Sequence, residues 1–153
     1  MKKLTVEERY YIAGFLDGDG SIFAQIIQGK AYKYNFRIRV SIGFYQKKDK
    51  HWFMLKLKKC LKYGYLRIRK DNVSELVITG VGPVKQVLLQ LKDFLVLKKK
   101  QANLVLKIIE EKEKVNSESE FIEICKLVDQ VSKLNYSKTK LMNAKFVIKS
   151  LEE

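Results

Sequence analysis

The chain has 153 residues, 46% of them hydrophobic, which is enough for a sizeable core in one compact domain. Its 31 Lys and Arg against 17 Asp and Glu give a formal charge of +14, a self-repelling balance that points to a polyanionic partner, nucleic acid first and an anionic membrane surface second. No stretch approaches the ~20 apolar residues of a membrane span. The opening MKKLTVEERYY has no apolar signal region, and Glu7 and Glu8 are wrong for a transit peptide, so the protein is expected to be made where it works. Cys60 and Cys125 lie far apart in stretches rich in Leu and Ile, which fits reduced core thiols better than a disulfide or metal site.

In chain order, Thr5 followed by Glu8 forms a capping box for a helix over about 6–16. The period then drops to two: Ile22, Ala24 and Ile26 share one face, and Phe23, Gln25 and Ile27 the other. After a turn at Gly29, Tyr34, Phe36, Ile38, Val40, Ile42 and Phe44 alternate inward, with Lys33, Asn35, Arg37, Arg39, Ser41 and Gly43 outward, completing an amphipathic hairpin. Asp49 is expected to cap a second helix reaching about Tyr63, with Gly64 as its stop. Leu66 and Ile68 point inward, and Tyr65, Arg67 and Arg69 outward, in a second hairpin that turns at 70–72 and returns through 74–79. Helices are expected over about 84–97, 98–113 and 118–134, the last capped by Ser117 with Glu120 opposite, before a short basic tail. The order α-ββ-α-ββ-α plus extra helices implies an α+β fold, with helices on one face of an antiparallel sheet. It also implies a single domain over 1–153, with a core of about 5–113 and C-terminal helices over about 117–153.

The sheet's other face is the informative one. Lys33, Arg37, Arg39, Arg67 and Arg69 point away from the helices among Gln25, Tyr32, Ser41 and Tyr65, and Glu75 is the one acid there. A merely solvated face would mix signs. Arg, Gln, Ser and Tyr on a curved sheet suit base edges and phosphates in a major groove.

The run YIAGFLDGDGSIF places Asp17 and Asp19 where a helix ends, and like charges at that negative dipole end cost roughly 0.3–1 kcal/mol each. Gly14 and Gly18, four apart beside Ala13, form a small-residue stripe that would let a second copy of the helix approach closely. Four aspartates would then converge, and a divalent ion with oxygen ligands, such as Mg²⁺, would relieve them. A polar turn in which Asp and Gly are simply good turn formers fits the spacing equally well.

At these residues IAGFLDGDGS resembles the motif of the LAGLIDADG homing endonucleases, a helix ending in two acids bracketed by small residues. A single copy occurs, so the chain resembles the single-motif, homodimeric group typified by enzymes encoded in introns of chloroplast ribosomal RNA genes. FLVLKKKQANLVLKII at 94–109 and LVDQVSKLNYSKTK at 127–140 are similar to segments of that group, and the element order matches its αββαββα core with a curved, DNA-binding antiparallel sheet. The resemblance implies a site-specific double-strand DNA endonuclease acting on a long pseudo-palindromic target in intron homing.

Carried over by position, Asp19 is implied as the catalytic metal ligand, with the Gly18 carbonyl as a further ligand. Gln46 and Lys98 are implied as active-site residues that position water and stabilise charge, with Lys50 near the scissile phosphate. Asp17 is implied to support the helix end, and with Ala13, Gly14 and Leu16 to lie at the dimer interface. DNA contacts are implied for Gln25, Ile27, Tyr32, Lys33, Arg37, Arg39, Ser41, Tyr65, Arg67, Arg69 and Glu75, and for the backbone-contacting Ser137, Lys138 and Lys140. Mg²⁺ is the implied cofactor, with Mn²⁺ or Ca²⁺ as substitutes in binding. Double-stranded DNA and a second copy of the chain are the partners, without membrane or small-molecule cofactor, and the location is the encoding organelle, chloroplast before mitochondrion.

The chemistry is coherent from below. Phosphodiester hydrolysis needs an activated water, charge relief at the phosphate and help for the leaving 3′ oxygen, all of which carboxylate-held metal ions supply. One Asp per subunit is too few, whereas two brought together by a dimer suffice. The sole histidine, His51, beside Trp52, reads as structural or as a phosphate donor rather than as a general base. The competing readings are a non-cleaving binder, such as a maturase stabilising intron RNA, and a small sheet-based RNA-binding domain, the latter disfavoured because readout is Arg-rich rather than aromatic.

Overall fold

A computed structural model describes residues 1–137 and 142–153. The elements run α1 (Val6–Asp19), β1 (Gly20–Gln28), β2 (Phe36–Lys47), α2 (His51–Leu61), β3 (Tyr65–Ile68), β4 (Val73–Thr79), α3 (Val81–Leu91), α4 (Lys99–Glu113), α5 (Glu118–Leu134) and α6 (Ala144–Glu152). The αββαββα order expected from the sequence is present, and the strands form a four-stranded sheet in the order β1-β2-β4-β3. β2 pairs antiparallel with β4 (Phe44 opposite Leu76), and β4 pairs antiparallel with β3 (Arg67 opposite Glu75). Contacts group the chain into two compact units, Met1–Ile22 with Ser41–Lys99, and Phe23–Val40 with Lys100–Glu153.

In the first unit, the capping box forms at the start of α1: Glu8 N–H donates to Thr5 Oγ1 at 3.1 Å, and Thr5 N–H donates to Glu8 Oε2 at 2.8 Å. α1 buries Ile12, Ala13 and Leu16, and its Phe15 stacks on Phe44 of β2 at 5.7 Å and meets Phe53 of α2 edge-on at 5.2 Å. Helices therefore cover the sheet face that carries Phe44, Leu76 and Ile78, all fully buried. α1 runs three residues past its expected end, so both aspartates lie in its last turn. Gly20 then takes the chain straight into β1. A Cβ there would sit 2.6 Å from Leu16 Cδ1 and 2.9 Å from the Gly43 carbonyl oxygen, so only glycine lets helix and sheet meet this closely.

Three expectations need correction here. Asp49 does not cap α2; it lies in a 3-10 turn over Lys48–Lys50, and Lys50 precedes the helix without any side-chain cap bond. α2 stops at Leu61 because Lys62 turns left-handed at φ 67°, its N–H donating to the Lys58 carbonyl at 2.8 Å, before Gly64 at φ 105°. α3 begins at Val81, three residues early, because Pro83 falls in its first turn, where no N–H donor is needed. It ends at Leu91, and residues 95–98 are not helical.

In the second unit, the turn between β1 and β2 is closed by Gly29 N–H to the Asn35 carbonyl at 2.9 Å, with Asn35 left-handed at φ 62°. Tyr34 packs on Phe121 of α5 at 5.2 Å, and Phe36 packs edge-on against Phe146 of α6 at 6.2 Å. Ser117 caps α5 as expected, accepting from Glu120 N–H at 3.2 Å. The tail read as a basic segment contains α6, whose N-cap Asn143 accepts from Phe146 N–H at 2.8 Å. Both Asp129 carboxylate oxygens accept from Ala144 N–H at 3.2 Å. Both cysteines are free: Cys125 is buried, its thiol pushed up to about 12 chiefly by that burial, and Cys60 is half-buried.

Candidate active site

The last turn of α1 and the segment before α4 meet in one corner of the first unit. Asp17 Oδ2 accepts from the Val96 and Leu97 amides at 2.8 and 3.2 Å, and its Oδ1 accepts from the Lys98 amide at 3.0 Å. Lys98 Nζ donates to the Asp17 carbonyl oxygen at 2.6 Å. Three amide donors on one carboxylate, plus an ammonium on a helix-end carbonyl, offset the charge that made Asp17 costly at this end of the helix. Lys98 accordingly does not open α4, which starts at Lys99; its cation lies at the negative end of α1 rather than the positive end of α4.

Asp19, two residues on, is exposed and has a different environment. Its Oδ2 accepts from Gln46 Nε2 at 2.9 Å, a bond that links the end of α1 to the far end of β2. The carboxylate is thus oriented but not enclosed. Among the described residues no group of three or more His, Cys, Asp or Glu side chains is placed to hold a metal ion. The donor set of Asp19 and the Gly18 carbonyl is hard oxygen, which suits Mg²⁺ or Ca²⁺, and a single chain leaves the coordination incomplete. The residues would fit a divalent ion as part of a ligand set completed from outside this chain.

Of the four residues implied for the dimer interface, Ala13 and Leu16 are 0% exposed and belong to their own core, and the Asp17 carboxylate is spent within its own chain. This corrects the interface contact expected of the Ala13 and Leu16 side chains, whereas Asp17 is half-exposed. Gly14 does face outward, as does Gly18, and a Cβ at either meets nothing within 4 Å. Exposed apolar side chains lie on the same unit: Tyr10, Tyr11, Val96 (80% exposed) and Leu97 (72% exposed).

The implied DNA-contacting residues divide between the two units. In the second, Arg39 donates to Gln25 Oε1 through Nε at 3.1 Å and Nη2 at 2.7 Å, the exposed Arg37 lies over the Tyr32 ring at 5.3 Å, and Lys33 lies over Tyr34 at 5.4 Å. Ile27 is half-buried, and the exposed Ser137 ends the described segment after α5. In the first unit, Arg67 pairs with Glu75 at 2.7 Å, Arg69 pairs with Asp71 at 2.7 Å, and Tyr65 is exposed. The Glu75 hydrogen bond, then its charge, raises the Arg67 guanidinium above its ordinary value. Ser41 is corrected: it is 1% exposed, and its Oγ is engaged with Thr79 Oγ1 at 2.9 Å. Lys138 and Lys140 lie outside the described residues.

Sequence reading missed Tyr45, whose hydroxyl meets Ser21 Oγ at 3.1 Å and lies over Gly43, the vacant position that gives the ring room. The signal was there, since Tyr45 continues the outward alternation of β2. Lys50 is exposed at the start of α2. His51 Nδ1 is bonded to the buried Ser74 Oγ at 2.8 Å, in keeping with the structural one of the two roles expected for it.

A helix ending in Asp-Gly-Asp, set against the sheet of an αββαββα core, defines the LAGLIDADG class. Residues 12–111 match the family described as LAGLIDADG endonuclease, and the chain belongs to that family. It is 43% identical over 139 residues to DNA endonuclease I-CreI of Chlamydomonas reinhardtii, covering 90% of this chain and 85% of that protein. It is 34% identical over 143 residues to DNA endonuclease I-CvuI of Chlorella vulgaris, covering 94% and 89%. Solved structures of I-CvuI with DNA targets, one in 2 mM Mg and one in 2 mM Ca, superpose with a TM-score of 0.89 at 33% identity over 96% of each chain. The archaeal intron-encoded I-Vdi141I, solved with DNA, shares the fold at a TM-score of 0.82 and 16% identity over 95% of each chain.

Proposed function

We propose that this chain is a site-specific double-strand DNA endonuclease of intron homing, working as a homodimer on a long pseudo-palindromic target. The observation that carries the reading is Asp19: it is the acid of the motif left exposed, held at the end of α1 by Gln46, while its neighbour Asp17 is consumed in building the corner. Asp19 and the Gly18 carbonyl would hold a divalent ion, Mg²⁺ in function and Mn²⁺ or Ca²⁺ in binding. Bound there, the ion supplies an activated water, charge relief at the phosphate and help for the leaving 3′ oxygen.

This chain's own residues do the positioning. Gln46 fixes the Asp19 carboxylate and presents an amide beside it. Lys98 brings an ammonium to the same helix end, and Lys50 offers a second cation for the phosphate. Gly14 and Gly18 let the same helix of a second copy approach, bringing two Asp19 carboxylates together, one for each strand cut. The outward residues of the sheet, Arg37, Arg39, Arg67 and Arg69 foremost, read base edges. The single-domain reading over 1–153 is part of this proposal, and so is an organellar location, chloroplast foremost, given relatives from Chlamydomonas reinhardtii and Chlorella vulgaris.

Incubating the purified protein with a library of candidate intron-insertion sites, with and without Mg²⁺, tests the activity. Double-strand cuts confined to a few related sites and dependent on Mg²⁺ are expected; retention of sites without cutting at any Mg²⁺ concentration would leave a binder, not an enzyme. Sedimentation as a monomer at concentrations giving full cleavage would refute the dimer.

A further inference from the structure

We infer that the helix layer of the first unit carries a second nucleic-acid surface, in which Lys2, Lys3, Lys56, Lys59 and Lys62 hold the phosphates of an unpaired strand and Trp52 stacks one of its bases. The five lysines line one pocket, all are exposed, and none forms an ion pair among the described residues. The one carboxylate in that pocket, Glu8, is already engaged by the Thr5 amide at 2.8 Å. Five cations against one carboxylate repel one another, and a polyanion would reduce that cost.

Two features separate this surface from the DNA-reading one. α1 has 14 residues, which at about 1.5 Å each puts Lys2 and Lys3 roughly 20 Å along the helix from Asp19. The stacking of Phe15 on Phe44 puts α1 on the inward face of the sheet, whereas Tyr65 and Arg67 face outward, so a duplex lying on the outward face does not reach the pocket. α2 adds the aromatic component. Trp52, Lys56 and Lys59 recur at i, i+4 and i+7 along one helix face. Trp52 is 56% exposed, and Lys56 Nζ lies 5.2 Å from its ring centroid. A cationic track with an exposed aromatic ring suits unpaired nucleotides, whose bases are free to stack, better than a duplex or an isolated anion.

Lysine footprinting by acetylation and mass spectrometry tests this on the intact protein, with 30-nucleotide single-stranded RNA, single-stranded DNA of the same sequence, its duplex, and inorganic tripolyphosphate as separate probes. The expected result is at least threefold protection of Lys56, Lys59 and Lys62 by single strands, kept in the variant Arg37→Glu/Arg67→Glu/Arg69→Glu, whose sheet face is disabled. RNA and DNA arms identify the source, and protection by either supports the surface. In Lys56→Gln/Lys59→Gln/Lys62→Gln, single-strand affinity should fall at least tenfold, with a salt slope shallower by about two units at roughly 0.7 per contact, while Mg²⁺-dependent cleavage stays within twofold. Protection by tripolyphosphate but by neither strand, by duplex alone, or by nothing would overturn the proposal. So would loss of protection in the sheet variant, because one surface would then serve both.

Discussion

Asp17 and Lys98 hold each other twice: the Asp17 carboxylate accepts the Lys98 amide at 3.0 Å, and the Lys98 ammonium donates to the Asp17 carbonyl oxygen at 2.6 Å. With the Val96 and Leu97 amides on the same carboxylate, Asp17 organises residues 96–98 as a cap would organise a helix start. Asp17→Ala is therefore expected to destabilise the protein by about 1–3 kcal/mol, toward the lower figure because the side chain is half-exposed. Asp17→Asn, which keeps one acceptor oxygen, should cost less. Chemical denaturation reads both, and an unshifted midpoint for Asp17→Ala would mean that the segment is held by other contacts.

Asp19 should behave oppositely. Among the described residues its carboxylate supports no backbone and accepts one side-chain bond, from Gln46. Asp19→Asn keeps an oxygen for that bond and removes a negative charge from the end of a helix, so stability should hold or rise slightly. DNA binding should persist while cleavage disappears. Cleavage within tenfold of the parent protein would sink the metal assignment.

The sheet arginines fall into two kinds. Arg67 and Arg69 each carry an acidic partner, whereas Arg37 is exposed over Tyr32 and Arg39 is tied to the neutral Gln25. An arginine bidentate to guanine contributes about 1–3 kcal/mol of discrimination. Arg37→Ala should therefore relax preference at one position in each half-site, symmetrically. Arg67→Ala should do the same but also free Glu75, adding repulsion toward phosphate that lowers affinity for every sequence. Selection on randomised half-sites separates the outcomes: a uniform loss for both variants would make these arginines phosphate contacts.

Most of this was legible in the sequence because it rests on periodicity and caps. Thr5 and Glu8, Ser117 and Glu120, and the even-numbered residues of β2 behave as their spacing requires. What was not legible depends on partners distant in the chain. Nothing near Asp17 indicates that amides 79 to 81 residues away will take its carboxylate, and nothing in the outward phase of Ser41 indicates that Thr79 and its neighbours will close over it. The fully buried Ala13 and Leu16 show the same limit: a helix with a motif on one face and a core on the other has a readable period, but the period does not say which small residue faces which side. α6 was missed because Lys145 and Lys149 made a short amphipathic helix look like a basic tail.

Asp129 contributes a pH dependence to the second unit. Burial raises its carboxyl above the ordinary value, more than the Ala144 amide lowers it. The folded state therefore keeps this proton to higher pH than the unfolded chain. The stability it contributes is fully present below the unfolded pKa and is lost as pH rises through the raised folded value. Asp129→Asn cannot ionise and still offers an oxygen to Ala144, so it should gain on the parent protein as pH rises from the ordinary carboxyl value, about 3.9, through the raised folded value. Urea midpoints across that range check the sign; a difference that is flat or shrinks with pH would show that burial of this carboxylate carries no linkage.

Lys98 tests the chemistry most directly, because its structural bond makes two roles separable. If the ammonium only anchors the end of α1, Lys98→Met should lower stability and leave cleavage by the remaining folded protein intact. If it also stabilises the transition-state phosphorane or orients water, Lys98→Met and Lys98→Ala should both lower single-turnover cleavage at saturating enzyme, with little change in DNA binding. Lys98→Arg should restore part of it, since a cation returns to the same corner. Lys100, exposed in the first turn of α4, is the comparison. Lys100→Ala should weaken binding and make its salt dependence shallower by about one unit of log–log slope, leaving saturating cleavage unchanged. The expected pattern is a rate defect for Lys98 and a binding defect for Lys100, and unchanged saturating cleavage by both Lys98→Ala and Lys98→Met would remove Lys98 from the catalytic set and leave it as the clamp on Asp17.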